Sequence, residues 1–222
     1  MRVTEIVAEV LPGHPAGVLA GPNIAVEVMA GYAAAATLAM PDDNLAGRLA
    51  ELFRTSRFRV YSTNDVVGVE IAGALKNIYA IAVGMADGAG AGENTKAMVV
   101  TRAAREMSRL GQALGGQPET FAGLAGIGDL IVTCTSPHSR NRHVGEELGR
   151  GRTMVEILAQ MTQVAEGVKT TPVAIELAKT FGIRLAIACE VNSVLTGSGT
   201  VDDAYRGLLR VPPGHETKGD EW

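Results

Sequence analysis

Lys76 is the one charged side chain in G-A-L-K-N-I-Y-A-I-A-V-G, residues 73–84. Ala72, Gly73 and Ala80 lie one helical turn away, so there is room beside it and no local counter-charge. Burial of a lysine disfavours its charged form and suits a group that trades a proton near neutral pH. A lysine in such a place can also extend its ammonium to a surface, or pair with a carboxylate distant in sequence. The helix alone leaves both readings open.

A second concentration is G-L-A-G-I-G-D-L-I-V-T-C-T-S-P-H-S-R-N-R-H-V-G-E-E-L-G, residues 123–149. Gly123, Gly126 and Gly128 allow close backbone approach. Asp129 stands directly before an apolar run, and Thr133, Ser136 and Ser139 supply hydroxyls. Arg140, Asn141 and Arg142 open a helix. Hydroxyls and arginines at a helix N-terminus form a phosphate site, or an ordinary capped helix with a solvated basic turn. Cys134, His138 and His143 resemble metal spacing only superficially, and no second cysteine pair accompanies them, so no metal is expected. The glycines of D-G-A-G-A-G-E, residues 87–93, lack the last glycine of G-x-G-x-x-G and a preceding strand. They are expected to form a helix connection.

The elements that must position these residues fall into two textures. Through residue 62, short apolar runs alternate with turn signals. G-V-L-A (17–20) ends at Gly21-Pro22, A-A-A-A-T-L-A-M (33–40) ends at Pro41-Asp42, and R-F-R-V-Y-S-T-N-D (57–65) reads as a strand. Residues 23–30 and 43–54 have helical spacing between them, which predicts an α/β piece. From Asp65, a good N-cap, the pattern is helical throughout. Helices are expected within 66–86, 94–115 (stopping at Gly115-Gly116), 140–151, 165–182, 186–197 and 201–210. The first of these is apolar on every side, as in the middle of a bundle. The tail from Val211 is polar and is expected to fray. The fold class is thus an α/β portion, residues 1–62, followed by an all-helical portion, residues 63–222.

Composition excludes some functions. The chain has 222 residues and a formal net charge of −4, the wrong sign for a duplex-binding protein. Its two cysteines, Cys134 and Cys189, suit a reducing cytoplasmic setting rather than a disulfide framework. No run of about 20 continuous apolar residues predicts a membrane span.

The motifs G-P-N-I-A-V-E-V, E-I-A-G-A-L-K-N-I-Y-A-I-A-V-G, G-E-N-T-K-A, G-L-A-G-I-G-D-L-I-V-T-C, S-R-N-R-H-V-G-E-E-L-G-R-G and V-A-E-G-V-K-T-T occur in this order between Val18 and Arg210. Together they closely resemble the NAD(P)-dependent glycerol-3-phosphate dehydrogenases of the bacterial type. The resemblance implies an oxidoreductase that interconverts dihydroxyacetone phosphate and sn-glycerol 3-phosphate, with NAD or NADP as cofactor, and supplies glycerol 3-phosphate for phospholipid synthesis. Lys76 would be its proton donor and acceptor.

The same resemblance implies that Gly21, Asn23, Lys76, Asn77, Asp129, Thr133, Ser139, Arg140 and Asn141 face the substrate. Ala25, Arg140, Val164 and Glu166 would face the dinucleotide. It also implies a Gly-rich nucleotide-binding half that these 222 residues do not include, together with a further substrate lysine on that half. The α/β portion is then expected to be the end of a Rossmann-type domain with unpaired sheet edges, and the chain a fragment whose partner is either that half or a second copy. A catalytically inactive helical module for dimerisation or binding is the alternative. A dehydrogenase for another hydroxy acid fits the hydroxyls and arginine of residues 129–140 less well.

Overall fold

The computed structural model describes residues 1–161 and 163–210; the tail expected to fray lies outside them. The chain divides into two compact units, neither of them one continuous stretch. The first comprises Met1–Ala74 and Met107–Val132, the second Leu75–Glu106 and Thr133 onward.

The first unit holds the sheet. Strands β1 (Val18–Ala20), β2 (Ala34–Ala39) and β3 (Phe58–Thr63) lie in that order. β1 pairs antiparallel with β2 (Val18 opposite Ala39), and β2 pairs parallel with β3 (Ala34 opposite Phe58). Helices α1 (Val3–Val10) and α2 (Ala25–Met29) flank β1, and α3 (Asp43–Phe53) makes the crossover that a parallel pair requires. The alternation of β2 sorts its side chains. Leu38 packs with Met40, Ala46, Ala50 and Val60 in one apolar cluster, while Ala39 packs with Val66, Val69 and Ala125 in another. The sheet has Leu19 and Tyr61 exposed on its outer strands.

Asp42 caps α3, accepting from the amides of Asn44 and Leu45. Asp65 does the same for α4 (Val66–Gly88), as its placement in sequence predicts, by accepting from Gly68 N at 2.8 Å. Its other oxygen accepts from Gln117 N and from the Thr120 hydroxyl, which ties down α6 (Pro118–Ala122). A π-helical turn, Leu124–Gly128, follows α6 and leads into α7 (Asp129–Thr135).

The second unit is helical: the later portion of α4, the first portion of α5 (Glu93–Ala113), the end of α7, then α8 (Arg140–Gly149), α9 (Met154–Gln160), α10 (Glu166–Thr180), α11 (Ala186–Leu195) and α12 (Val201–Arg210). α5 stops at Gly115, which adopts the left-handed φ of +96° expected of a C-terminal glycine. Helix α4 is long and apolar enough to cross a membrane by length and composition, but 61% of that stretch is buried inside the protein. Ile78, Tyr79 and Ile81 are fully buried. Burial of the Tyr79 hydroxyl, reinforced by the charge of the buried Glu106, holds its pKa well above the usual value of 10.0. Glu106 also accepts from Ile187 N at 2.7 Å. It thereby caps α11, whose own N-cap residue, Leu185, has no side chain to do so.

Helices α4 and α8 meet backbone to backbone. Side chains at Gly84 and Gly88 would collide with the carbonyls of Arg142 and Glu146, and side chains at Gly145 and Gly149 with those of Ile81 and Met85. Each helix contributes two glycines four residues apart, and the absence of Cβ atoms at both pairs sets the approach.

Candidate active site

The predicted site residues fall in both units. In the first unit, β1 ends in the Gly21-Pro22 turn. Gly21 is buried with φ +145°, and a Cβ there would stand 2.9 Å from Ala36 Cα, so only glycine fits. Asn23 is half-buried behind it, and Ala25 is exposed at the first position of α2. The turn borders the π-helical segment: a Cβ on Gly128 would touch the Pro22 ring at 3.6 Å. Asp129, the next residue, is only 3% exposed. Gly21, Asn23 and Asp129 therefore share one neighbourhood of this unit.

In the second unit, Lys76 is half-buried. The sequence left a buried and a surface-reaching lysine both open, and the residue lies between the two. Ala74 is exposed and Gly73 half-exposed, and a Cβ on Gly73 would meet nothing within 4 Å. One flank of α4 is open there, although the sequence is apolar all round. The room expected beside the lysine is present. Cys134 is fully buried, and burial pushes its thiol up to about 12 against the smaller downward pull of the Lys76 charge. Thr133 is half-buried just before it on α7.

Asn77 lies next to the lysine and joins three helices. Its Oδ1 accepts from Asn141 Nδ2 at 3.0 Å, and its Nδ2 donates to Glu166 Oε2 at 3.3 Å. Asn141 Oδ1 accepts from Gly167 N at 2.9 Å. The close glycine packing of α4 on α8 is what lets two such short side chains meet.

Ser139 is the N-cap of α8 and accepts from Arg142 N at 3.2 Å, while its own hydroxyl hydrogen can still be donated. Arg140, the first residue of α8, is exposed, and its Nη1 donates to Gln163 Oε1 at 2.9 Å. Val164 (54% exposed) and Glu166 stand at the surface where α10 begins. A serine-capped helix N-terminus with an adjacent guanidinium is suited to a phosphate group.

His138 and His143 are exposed, and among the described residues no group of three His, Cys, Asp or Glu could hold a metal ion. Sequence reasoning missed Gln163 as the partner of Arg140, and Gly167 as the residue whose missing Cβ makes room for Asn77 and Asn141. Neither has a sequence signal. The paired glycines Gly84/Gly88 and Gly145/Gly149 do have one in their spacing.

The family model for the NAD-dependent glycerol-3-phosphate dehydrogenase C-terminus matches residues 65–206, and the model for the N-terminus of the same enzymes matches residues 1–46. The chain is 64% identical over 219 residues to a glycerol-3-phosphate dehydrogenase [NAD(P)+] of Mycobacterium avium, covering 99% of this chain and 64% of that relative. It is 49% identical over 212 residues to one of Gluconobacter oxydans, with 96% and 65% covered. The crystal structure of glycerol-3-phosphate dehydrogenase from Coxiella burnetii superposes with a TM-score of 0.88 at 39% identity, covering 93% of this chain and 63% of that one. The enzyme from Saccharomyces cerevisiae gives 0.82 at 27% identity, covering 92% and 62%. The chain thus spans a little under two thirds of the length of these relatives.

Proposed function

The chain belongs to the NAD-dependent glycerol-3-phosphate dehydrogenase family, and from that premise we propose that it carries the substrate-binding and catalytic portion of an enzyme interconverting dihydroxyacetone phosphate and sn-glycerol 3-phosphate. In this reading it works in the cytoplasm and supplies glycerol 3-phosphate for phospholipid synthesis. The observation that carries the proposal is the half-buried Lys76 beside an amide, Asn77, that is bonded to Asn141 and Glu166. A proton-transferring group needs this combination of access for the substrate and fixed geometry around it.

Lys76 donates a proton to the C2 carbonyl oxygen of dihydroxyacetone phosphate and takes it back from the C2 hydroxyl in the reverse direction. Bound NADH or NADPH supplies the hydride that C2 receives, so the ketone gains a hydride and a proton and becomes a secondary alcohol. Ser139, Arg140 and Asn141, at the start of α8, receive the phosphate through a guanidinium, a hydroxyl and the positive end of a ten-residue helix. By the family resemblance, Gly21, Asn23, Asp129 and Thr133 are assigned to the same substrate.

Ala25, Arg140, Val164 and Glu166 hold the dinucleotide. These exposed groups offer one cation, one carboxylate and apolar contact, which fit a portion of a dinucleotide. Its pyrophosphate requires a Gly-rich turn, and no G-x-G-x-x-G occurs among these 222 residues.

The test is NADH and NADPH oxidation with dihydroxyacetone phosphate. The isolated chain is expected to turn over little. Joined to the nucleotide-binding half of the Mycobacterium avium relative, it gains activity, and Lys76→Met then lowers the rate by about 10²–10⁴-fold. An unchanged rate in Lys76→Met removes the lysine from the mechanism.

A second reading, a non-catalytic module that dimerises or binds a partner, draws support from α1. That helix buries none of its residues and exposes Val3, Ile6 and Val10. Sedimentation discriminates here: a concentration-independent monomer counts against the module.

A further inference from the structure

The hydrogen bonds around Asn77 close into a ring, and its direction is fixed. Glu166, as a carboxylate, only accepts, so the end of Asn77 facing it is the NH2 group. Asn77 then offers its oxygen to Asn141, which must present its own NH2 group there. Asn141 is left with its oxygen toward the Gly167 amide, which only donates. Glu166 and Gly167 are consecutive, so the chain of bonds leaves the first turn of α10, passes through α8 and α4, and returns to the same turn.

Three further observations show that the ring is built into the packing. Asn77 and Asn141 are 7% and 8% exposed. The N-cap of α10, Ala165, has no capping side chain, so Asn141 caps that helix from α8. A Cβ on Gly167 would lie 2.6 Å from the Asn77 carbonyl oxygen and 2.9 Å from Asn141 Oδ1, so the glycine is what admits the ring.

We propose that Asn77 is a positioning residue, which couples Asn141 on the phosphate side and Glu166 on the dinucleotide side to the turn of α4 that bears Lys76. The inference rests on the functional reading above for those two sides. The ring itself is a property of this chain, and breaking it between Asn77 and Glu166 must weaken phosphate-ester binding at Asn141, on the far side of the ring.

The experiment uses the chain joined to the nucleotide-binding half of the Mycobacterium avium relative, with glycerol 3-phosphate titrated calorimetrically. Asn77→Asp sets a carboxylate against Glu166. At about pH 8 both are ionised, the bond is lost, and binding weakens by about tenfold or more relative to wild type.

In the double variant Asn77→Asp/Glu166→Gln, the new amide donates to the new carboxylate, so the ring re-forms with one bond reversed. Folding and binding at about pH 8 return toward wild type, although the protein now carries two changes. A merely structural gap at position 77 would not show the rescue. If Asn77→Asp fails to fold at pH 8, the double variant still decides: one no better than the single variant overturns the proposal. Equal binding by wild type and Asn77→Asp at pH 8 also overturns it while leaving the functional reading intact. If the joined wild-type protein fails to bind glycerol 3-phosphate, both fall together.

Discussion

Gly84 on α4 lies directly against the carbonyl oxygen of Arg142 on α8, and Gly145 on α8 lies against that of Ile81 on α4. The contact is reciprocal and leaves no space for a methyl group on either side. Gly84→Ala and Gly145→Ala should each destabilise the chain by about 1–3 kcal/mol or more, since a forced methyl must push the helix backbones apart. Gly73→Ala, on the same α4, meets nothing within 4 Å and should stabilise by about 0.5–1 kcal/mol through helix propensity. Thermal unfolding of the three variants checks this, and a common direction of shift would contradict it.

These glycines also mark how far the sequence can be read. The strands at β1, β2 and β3 and the long helices follow from period, caps and turn residues, because those signals are local. Asp65 is legible as a cap for the same reason. The openness beside Lys76 is not legible, since a helix apolar on all sides does not say which side faces a gap, and Gly73 and Ala74 carry no mark of exposure. Nor is the ring at Asn77, whose partners lie 64 and 89 positions away in sequence. Motif resemblance nominated Asn77, Asn141 and Glu166 one by one, but the bonds among them depend on helix packing. The π-helical turn before Asp129 was likewise hidden in a glycine-rich run that allows many conformations.

Asp65 holds more than the helix it caps. Its two oxygens serve Gly68 N at 2.8 Å, Gln117 N at 2.8 Å and the Thr120 hydroxyl at 2.6 Å, all within the first unit. Asp65→Asn keeps one acceptor and turns an NH2 group toward the others. A buried donor then faces donors, so the variant should lose about 1–3 kcal/mol in urea unfolding. A loss below a few tenths would mean that water has replaced those bonds.

Acid should act on the ion pairs that close α8. Glu147 pairs with Arg150 and Arg152 at 2.6 Å each, and hydrogen bonds from Arg152 first, then Arg150, hold its carboxyl below the usual 4.5. A depressed folded value means that the stabilisation is fully present above 4.5 and fades as pH falls through the lower folded value. Glu147→Gln should therefore be less stable than wild type near neutral pH. The difference should narrow below about pH 4. A gap that stays constant down to about pH 2 would show that the charge of Glu147 contributes nothing.

Cys134 offers a reporter for the lysine that needs no turnover. Its thiol is fully buried and pushed up to about 12 by that burial, so the thiolate is scarce at pH 8. Cys189, half-buried on α11, is raised as well, again chiefly by burial. In native protein an aromatic disulfide reagent should modify Cys189 slowly and Cys134 more slowly still, while denaturant should release both. The Lys76 charge draws the Cys134 value down, so Lys76→Met should make the native Cys134 reaction slower than in wild type. A faster reaction in a variant of unchanged thermal stability would mean that the ammonium does not act on that thiol, and would separate Lys76 from the buried end of α7.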